Sequence, residues 1–204
     1  MIAVLDYGVG NLFSIQSSLS AIGCESLVTG REEELARADR IILPGVGAFG
    51  DAMDKLRQSG LDKALISQAG MGKPLLGLCL GMQLLLEEGF EFGRHAGLGL
   101  IKGRAVPLEG AIPAALKIPH IGWNALHFGE PRHPMFRYLR ENDHVYFVHS
   151  YYAADCPNIS ATCGYGQEIA AAVAKENVWG CQFHPEKSGS VGLNVLRAFC
   201  EVKV

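Results

Sequence analysis

Short apolar runs alternate with helix-like stretches through the first half of the chain: IAVLD, residues 11–22, CESLV, residues 31–37, RIILP, residues 49–69, PLLGL and residues 80–88. Strands of a parallel sheet are covered on both faces and read as unbroken Val/Ile/Leu runs, which is the character of IAVL, IIL and PLLGL. The pattern predicts successive βαβ units and an open, doubly wound, mostly parallel α/β sheet. After Glu88 the rhythm gives way to a Gly-rich passage (Gly93, Gly97, Gly99, Gly103) and short β-like pieces, HVYFVHSYY, AAAVA and VWGCQF, which predict an antiparallel extension. In SGSVGLNVLRAFCEV, Leu193, Leu196 and Phe199 fall at helical spacing, so a last helix packs back on the sheet with Ser188 or Ser190 placed to cap it.

Composition changes this picture little. A chain of 204 residues, 49% apolar and 19% charged, suits one domain over residues 1–204 with a sizeable core. The net charge of −3 and the scatter of Lys and Arg give no basic stripe for a phosphate backbone, which excludes nucleic acid as a partner. Asp6 interrupts the first apolar run too early for a signal sequence, and no apolar stretch reaches the length of a membrane span. The expectation is a cytoplasmic protein with no membrane association. The six cysteines (Cys24, Cys79, Cys156, Cys163, Cys181, Cys200) form no C-x-x-C pair and no dense disulfide framework. Reduced, buried thiols are expected, and only Cys79 has surroundings that suggest chemistry.

The run PLLGLCLGMQLLLEE carries a buried strand directly into a helix, with Gly77 and Gly81 flanking Cys79 two residues away on each side. A nucleophile on a tight strand-to-helix turn needs neighbours without side chains at those positions, because they crowd one another. At the helix N-terminus the dipole favours a thiolate, and the amide of Leu80 points at the same spot, where it can stabilise an oxyanion. Close packing beside an inert buried Cys is the alternative. It is answered by VWGCQFHPEKS, where Pro185 disfavours helix at His184 and predicts an extended stretch with His184 and Glu186 on one side. A carboxylate beside imidazole orients the ring and stabilises its charged form, as a Cys–His couple requires. His95, His127, His133 and His144 have no such neighbour and read as surface or structural residues, and no metal-ligand spacing supports a zinc site.

With G-x-C-x-G-M-Q and F-H-P-E both in place, the chain resembles the class I glutamine amidotransferases. The blocks DYGVGNL, PGVGAF, CLGMQLLLEE, HIGWN, YFVHSYY and QFHPEKS run nearly end to end and are similar to those of the glutaminase subunits of imidazole glycerol phosphate synthase. The resemblance implies a flavodoxin-like glutamine amidotransferase fold without a cofactor. It also implies hydrolysis of L-glutamine to glutamate and ammonia through a Cys79 thioester. The ammonia would pass to a (β/α)8-barrel cyclase in a heterodimer, which makes imidazole glycerol phosphate and aminoimidazole carboxamide ribonucleotide in histidine biosynthesis.

The same resemblance places oxyanion donors at Val46 or Gly47 beside Leu80, and a glutamine pocket of Gly47, Gln83, Glu91, His149, Ser150 and Tyr151. Gln83 lies one helical turn from Cys79, whereas Glu91 reads equally well as a solvated charge. For a partner surface, Tyr7, Asn11, Trp123, Tyr146 and Lys187 are the candidates, since Trp and Tyr anchor interfaces and Lys187 adjoins the triad carboxylate. Gly45, Gly47 and Gly50 also spell G-x-G-x-x-G after a strand, but the next strand ends in Cys79 rather than in the acid a dinucleotide site requires. The rival readings are a glutaminase of another pathway, such as pyridoxal phosphate synthesis, a Cys peptidase, and a non-catalytic flavodoxin-like binding module.

Overall fold

A computed structural model describes residues 1–202. Its first half runs β1 (Ile2–Leu5), α1 (Leu12–Ala21), β2 (Ser26–Thr29), α2 (Glu32–Arg37), β3 (Arg40–Leu43), α3 (Phe49–Ser59), α4 (Leu61–Gly70), β4 (Leu75–Leu78) and α5 (Leu80–Leu84). Asn11 caps α1, its Oδ1 accepting from the Ser14 N–H at 3.3 Å. The stretch 49–69, read as one helix, is two: Gly60 takes φ 75°, a left-handed conformation that ends α3. The helix expected over 80–88 stops at Leu84.

The second half holds β5 (Glu88–Gly89), β6 (His95–Ala96), β7 (Arg104–Pro107), β8 (His120–Ala125), β9 (His127–Phe128), β10 (His144–His149), β11 (Tyr151–Ala154), β12 (Ile159–Gly164), β13 (Glu168–Lys175), β14 (Val178–Cys181) and the closing helix α6 (Gly189–Cys200). The main sheet has eight strands in the order β2-β1-β3-β4-β14-β13-β12-β9. From β2 to β14 neighbouring strands are parallel, and β13, β12 and β9 continue antiparallel. The mixed sheet with an antiparallel extension is therefore present, with one difference: β14, read among the antiparallel pieces, pairs parallel with β4. HVYFVHSYY also divides at Ser150, β10 pairing with β8 and β11 with β7 in two smaller sheets.

Successive residues of β1 feed opposite faces of the sheet. Ala3 and Leu5 join one buried cluster with Leu43, Leu56 and Leu65, whereas Ile2 and Val4 join another with Ile15, Leu76 and Phe183. Both faces are covered, which is why the strands are apolar throughout. Among the described residues no helix is long and apolar enough to cross a membrane. Cys79, Cys163 and Cys181 are buried, while Cys24, Cys156 and Cys200 are half-buried.

The parallel pairing of β4 with β14 sets up the site. Leu78 lies opposite Cys181, so the residues leaving both strands, Cys79 and Gln182, emerge at the same carboxyl edge. The loop leaving β3 opens there too, where ligand crevices of doubly wound sheets form.

Candidate active site

Cys79 occupies the turn between β4 and α5 at φ 53° and ψ −108°, a region that residues with a Cβ rarely enter. The turn is held by the Cys79 N–H donating to the Cys181 carbonyl at 2.7 Å and by the Met82 N–H donating back to the Cys79 carbonyl at 3.1 Å. The flanking glycines are sterically required. A Cβ on Gly77 would lie 2.6 Å from the Gly81 carbonyl oxygen, and one on Gly81 would lie 2.0 Å from that of Leu43. The G-x-C-x-G spacing thus does what a nucleophile elbow needs.

His184 Nδ1 lies 2.8 Å from Glu186 Oε1, and both side chains are buried. The pairing was expected, but its backbone was not. His184 is extended at φ −100° and ψ 98°, yet Pro185–Lys187 form a 3-10 turn, so the turn, and not a straight strand, brings the carboxylate under the ring. Ser188 is not a side-chain cap of α6. Its hydroxyl donates to the His184 carbonyl at 2.6 Å and accepts from the Tyr146 N–H at 2.9 Å, clamping the triad turn against β10. The second oxygen of Glu186, Oε2, is buried with no partner among the described residues.

Burial opposes charge on His184, but hydrogen bonds to Cys79 and Glu186, and then their charges, outweigh it and push the imidazole up to about 9. The surroundings of His184 thus favour a charged imidazole. Since this value lies above the 6.5 of a free imidazole, the pair's contribution to stability is fully present below pH 6.5 and is lost as pH rises through about 9. Histidine-ring NMR should show His184 titrating near that upper value, and Glu186→Gln should bring its midpoint down. An unchanged midpoint in Glu186→Gln would contradict the coupling.

Cys79 and His184 open onto a cavity of about 300 Å³ lined also by Val46, Gly47, Leu80, Gln83, Glu91, Pro119, Val148, His149, Ser150, Tyr151 and Lys187. That size is at the small end for ligand pockets and suits an amino acid. Every residue named as an oxyanion or glutamine-pocket candidate is on this wall. Leu80 opens α5, where the first N–H groups have no intrahelical acceptor, and Gly47 takes φ 97° on the exposed loop opposite. A wider groove of about 610 Å³ shares none of these residues, and four of its charges are paired, Arg94 with Glu88 and Arg104 with Asp155.

The wall residues are held in different ways. Glu91 is no free solvated charge: its Oε2 accepts from the Phe49 N–H at 2.8 Å, tying the start of α3 to the cavity. His149 spends both ring nitrogens internally, on the Tyr151 carbonyl at 2.9 Å and on His120 Nδ1 at 3.0 Å. The carbonyl only accepts, so Nδ1 carries the proton and Nε2 accepts from His120. Burial pushes His149 down to about 3 and His120 to about 4, as neutral rings require. His149 therefore has no ring nitrogen left free for the cavity. The sequence reading missed Pro119, Val148 and Gln182. Gln182, fully buried, donates from Nε2 to Cys79 Sγ at 3.7 Å.

The three glycines of the dinucleotide-like pattern have other uses. A Cβ on Gly45 would strike the Gly81 backbone at 2.7 Å, one on Gly50 would strike the His95 ring at 2.6 Å, and Gly47 has a left-handed φ. Of the candidates for a partner surface, Tyr7 is buried, its hydroxyl donating to the Pro44 carbonyl at 2.8 Å beneath the 44–47 loop. Burial raises its phenol well above the usual range. Asn11 is exposed but serves as the α1 cap. Trp123, 56% exposed, packs edge-on against Tyr146, and Lys187 Nζ sits 5.9 Å from the Tyr146 ring centre.

Comparison with known proteins places the chain in a family. Residues 3–202 match the family described as Glutamine amidotransferase class-I. The imidazole glycerol phosphate synthase subunit HisH of Sulfurimonas denitrificans is 46% identical, over 100% of this chain and 99% of that protein. The subunit of the same name from Bacillus velezensis is 48% identical, over 99% of this chain and 96% of that protein. Among solved structures, a glutamine amidotransferase superposes with a TM-score of 0.76 at 19% identity, covering 98% of this chain and 97% of the other. PurLQS from Thermotoga maritima gives 0.75 at 21% identity, covering 97% and 96%. At such identities these structures speak for the fold alone, whereas the full-length sequence matches go further: the chain belongs to the class I glutamine amidotransferases, among the HisH subunits of imidazole glycerol phosphate synthase.

Proposed function

We propose that the chain hydrolyses L-glutamine to glutamate and ammonia, with Cys79 as nucleophile, His184 as acid and base and Glu186 as its orienting carboxylate. The observation that carries this reading is the convergence of a strained elbow cysteine and a buried His–Glu pair on one amino-acid-sized cavity. Cys79 attacks the side-chain amide, and the oxyanion that forms is met by the Leu80 N–H and by the backbone at Val46 or Gly47. Imidazolium His184 protonates the departing ammonia, then as imidazole it activates water against the thioester. Gln83, Glu91 and the backbone of His149, Ser150 and Tyr151 orient the amino acid.

The ammonia serves a partner, a (β/α)8-barrel cyclase that makes imidazole glycerol phosphate and aminoimidazole carboxamide ribonucleotide, in a heterodimer of histidine biosynthesis. Free ammonia in neutral water becomes ammonium, which has no lone pair to attack with, so an enclosed transfer is favoured. Trp123, Tyr146 and Lys187 are the partner face. Ile121 and Trp123 alternate onto the same side of β8 and are 59% and 56% exposed, more apolar surface than a lone subunit gains from showing. Lys187 both reaches this face and lines the cavity, so it reports the partner's presence to the triad, with the loop 44–47 as the switch.

Co-purification with the cyclase, followed by glutaminase assays with and without its nucleotide substrate, tests the whole reading. Turnover is expected to be weak in the lone subunit and to rise in the loaded complex; equal turnover would remove the switch. Labelling by a glutamine-analogue electrophile should be confined to Cys79. Absence of labelling and of turnover would favour a non-catalytic module, and cleavage of peptide amides in preference to glutamine would favour a peptidase.

A further inference from the structure

Cys79 Sγ has a neighbour in the protein that the triad does not use. Gln182 leaves β14 fully buried, its backbone N–H fixed on the Ala171 carbonyl at 2.9 Å and its carboxamide lying between Gln83 and the thiol. Gln83 Nε2 lies 3.0 Å from the Tyr151 carbonyl and 2.9 Å from Gln182 Oε1, and Gln182 Nε2 lies 3.7 Å from Cys79 Sγ.

The direction of these hydrogen bonds follows from one atom. The Tyr151 carbonyl only accepts, so the Gln83 atom facing it is the NH2 group. That same nitrogen faces Gln182, which must therefore present its oxygen there. Its own NH2 is left aimed at sulfur. Turning either amide over would set donor against donor or acceptor against acceptor in a dry site, at the cost of a buried unsatisfied group.

We propose that Gln182 is a further catalytic residue of the Cys79 site: its Nε2–H donates to Sγ, stabilising the thiolate and aiming it, while Gln83 acts through it as a positioning residue. The inference rests on Cys79 being the nucleophile. The Val148 carbonyl also lies 3.8 Å from Sγ and can accept only from a protonated thiol. The two contacts therefore favour opposite states. A thiol donates to Val148; a thiolate accepts from Gln182 and pairs with His184. When Cys79 gives its proton to His184, no group has to enter the site to receive the charge, because the donor is already fixed from behind by a chain ending on backbone.

The test replaces the donor and keeps the rest. In Gln182→Glu one carboxylate oxygen still accepts from Gln83, but the other turns an acceptor toward sulfur. In Gln182→Met the shape stays and both polar atoms go. The readout is alkylation of Cys79 by a small neutral haloacetamide, followed by mass spectrometry of its peptide across pH. The alkylation midpoint should move to higher pH by about one unit in Gln182→Met and further in Gln182→Glu, with at least about a tenfold slower reaction at neutral pH. Midpoints coinciding with the unmodified protein in both variants would overturn the proposal. Should either variant fold poorly, the native protein decides: the Gln182 side-chain amide, followed by nitrogen NMR, should move with the alkylation midpoint and stay still in Cys79→Ala. An amide that ignores Cys79 in the native protein overturns the inference equally. Failure of the nucleophile reading looks different, since glutamine hydrolysis by the complex would then survive in Cys79→Ala.

Discussion

Cys79→Ala is expected to lose glutamine hydrolysis by more than about a thousandfold, while the complex it forms with the cyclase continues to make product from added ammonium salt. The contrast arises because the substitution deletes one sulfur and little else. Alanine puts the same Cβ into the φ 53° backbone, so the elbow bears the same strain as before. Gly77, Gly81 and the β4–β14 pairing are untouched. Glu186 keeps its hydrogen bond to His184, although the imidazole, deprived of the Cys79 contact that helps hold it near 9, should titrate lower. That drop gives the variant a second readout by NMR, independent of any assay. Without Sγ no thioester forms, and water alone has no activated route to the amide. Hydrolysis surviving in Cys79→Ala would remove the nucleophile and everything argued from it; loss of ammonia-dependent synthesis as well would instead show that the substitution disturbs assembly.

The elbow was legible because its chemistry is local: a strand, two glycines and a cysteine within five positions determine the turn. The apolar runs gave the parallel strands for a comparable reason, since burial on both faces marks each residue independently of its partners. Contacts between distant segments left no such mark. Nothing near Gln182 in the chain tells that it meets Cys79 and Gln83, because that contact spans about a hundred residues and depends on β14 lying parallel beside β4. Tyr7 looked like a surface aromatic because one phenol in a glycine-rich loop carries no periodicity, yet its ring fills the core and its hydroxyl holds Pro44. The closeness of His184 and Glu186 was expected for a partly wrong reason. Proline ahead of Glu186 argues for extension at His184 but not beyond it, and the 3-10 turn that follows is what seats the carboxylate.

Gly81→Ala is expected to lower the unfolding free energy by about 3 kcal/mol, seen as a fall of roughly 6–12 °C in melting temperature for a chain of this size. The added methyl would sit 2.0 Å from the Leu43 carbonyl oxygen and 3.0 Å from its carbon. Leu43 pairs with Gly77 across the β3–β4 register, so the obstacle is ladder backbone, not the movable end of a side chain. Either β3 or α5 must give way. Both choices reach the cavity, because β3 leads into the 44–47 loop and α5 begins at Leu80, so the proposed oxyanion donors would shift relative to one another. Glutaminase activity should therefore fall further than the lost stability explains, even at temperatures where the variant is folded, and alkylation of Cys79 should slow with it. Gly70→Ala supplies the control: it ends α4 with an ordinary φ and nothing within 4 Å of an added Cβ, so it should melt at or slightly above the unmodified protein. Equal melting temperatures for Gly81→Ala and the unmodified protein would mean the elbow has slack. In that event the G-x-C-x-G spacing would no longer explain how Cys79 is held against His184.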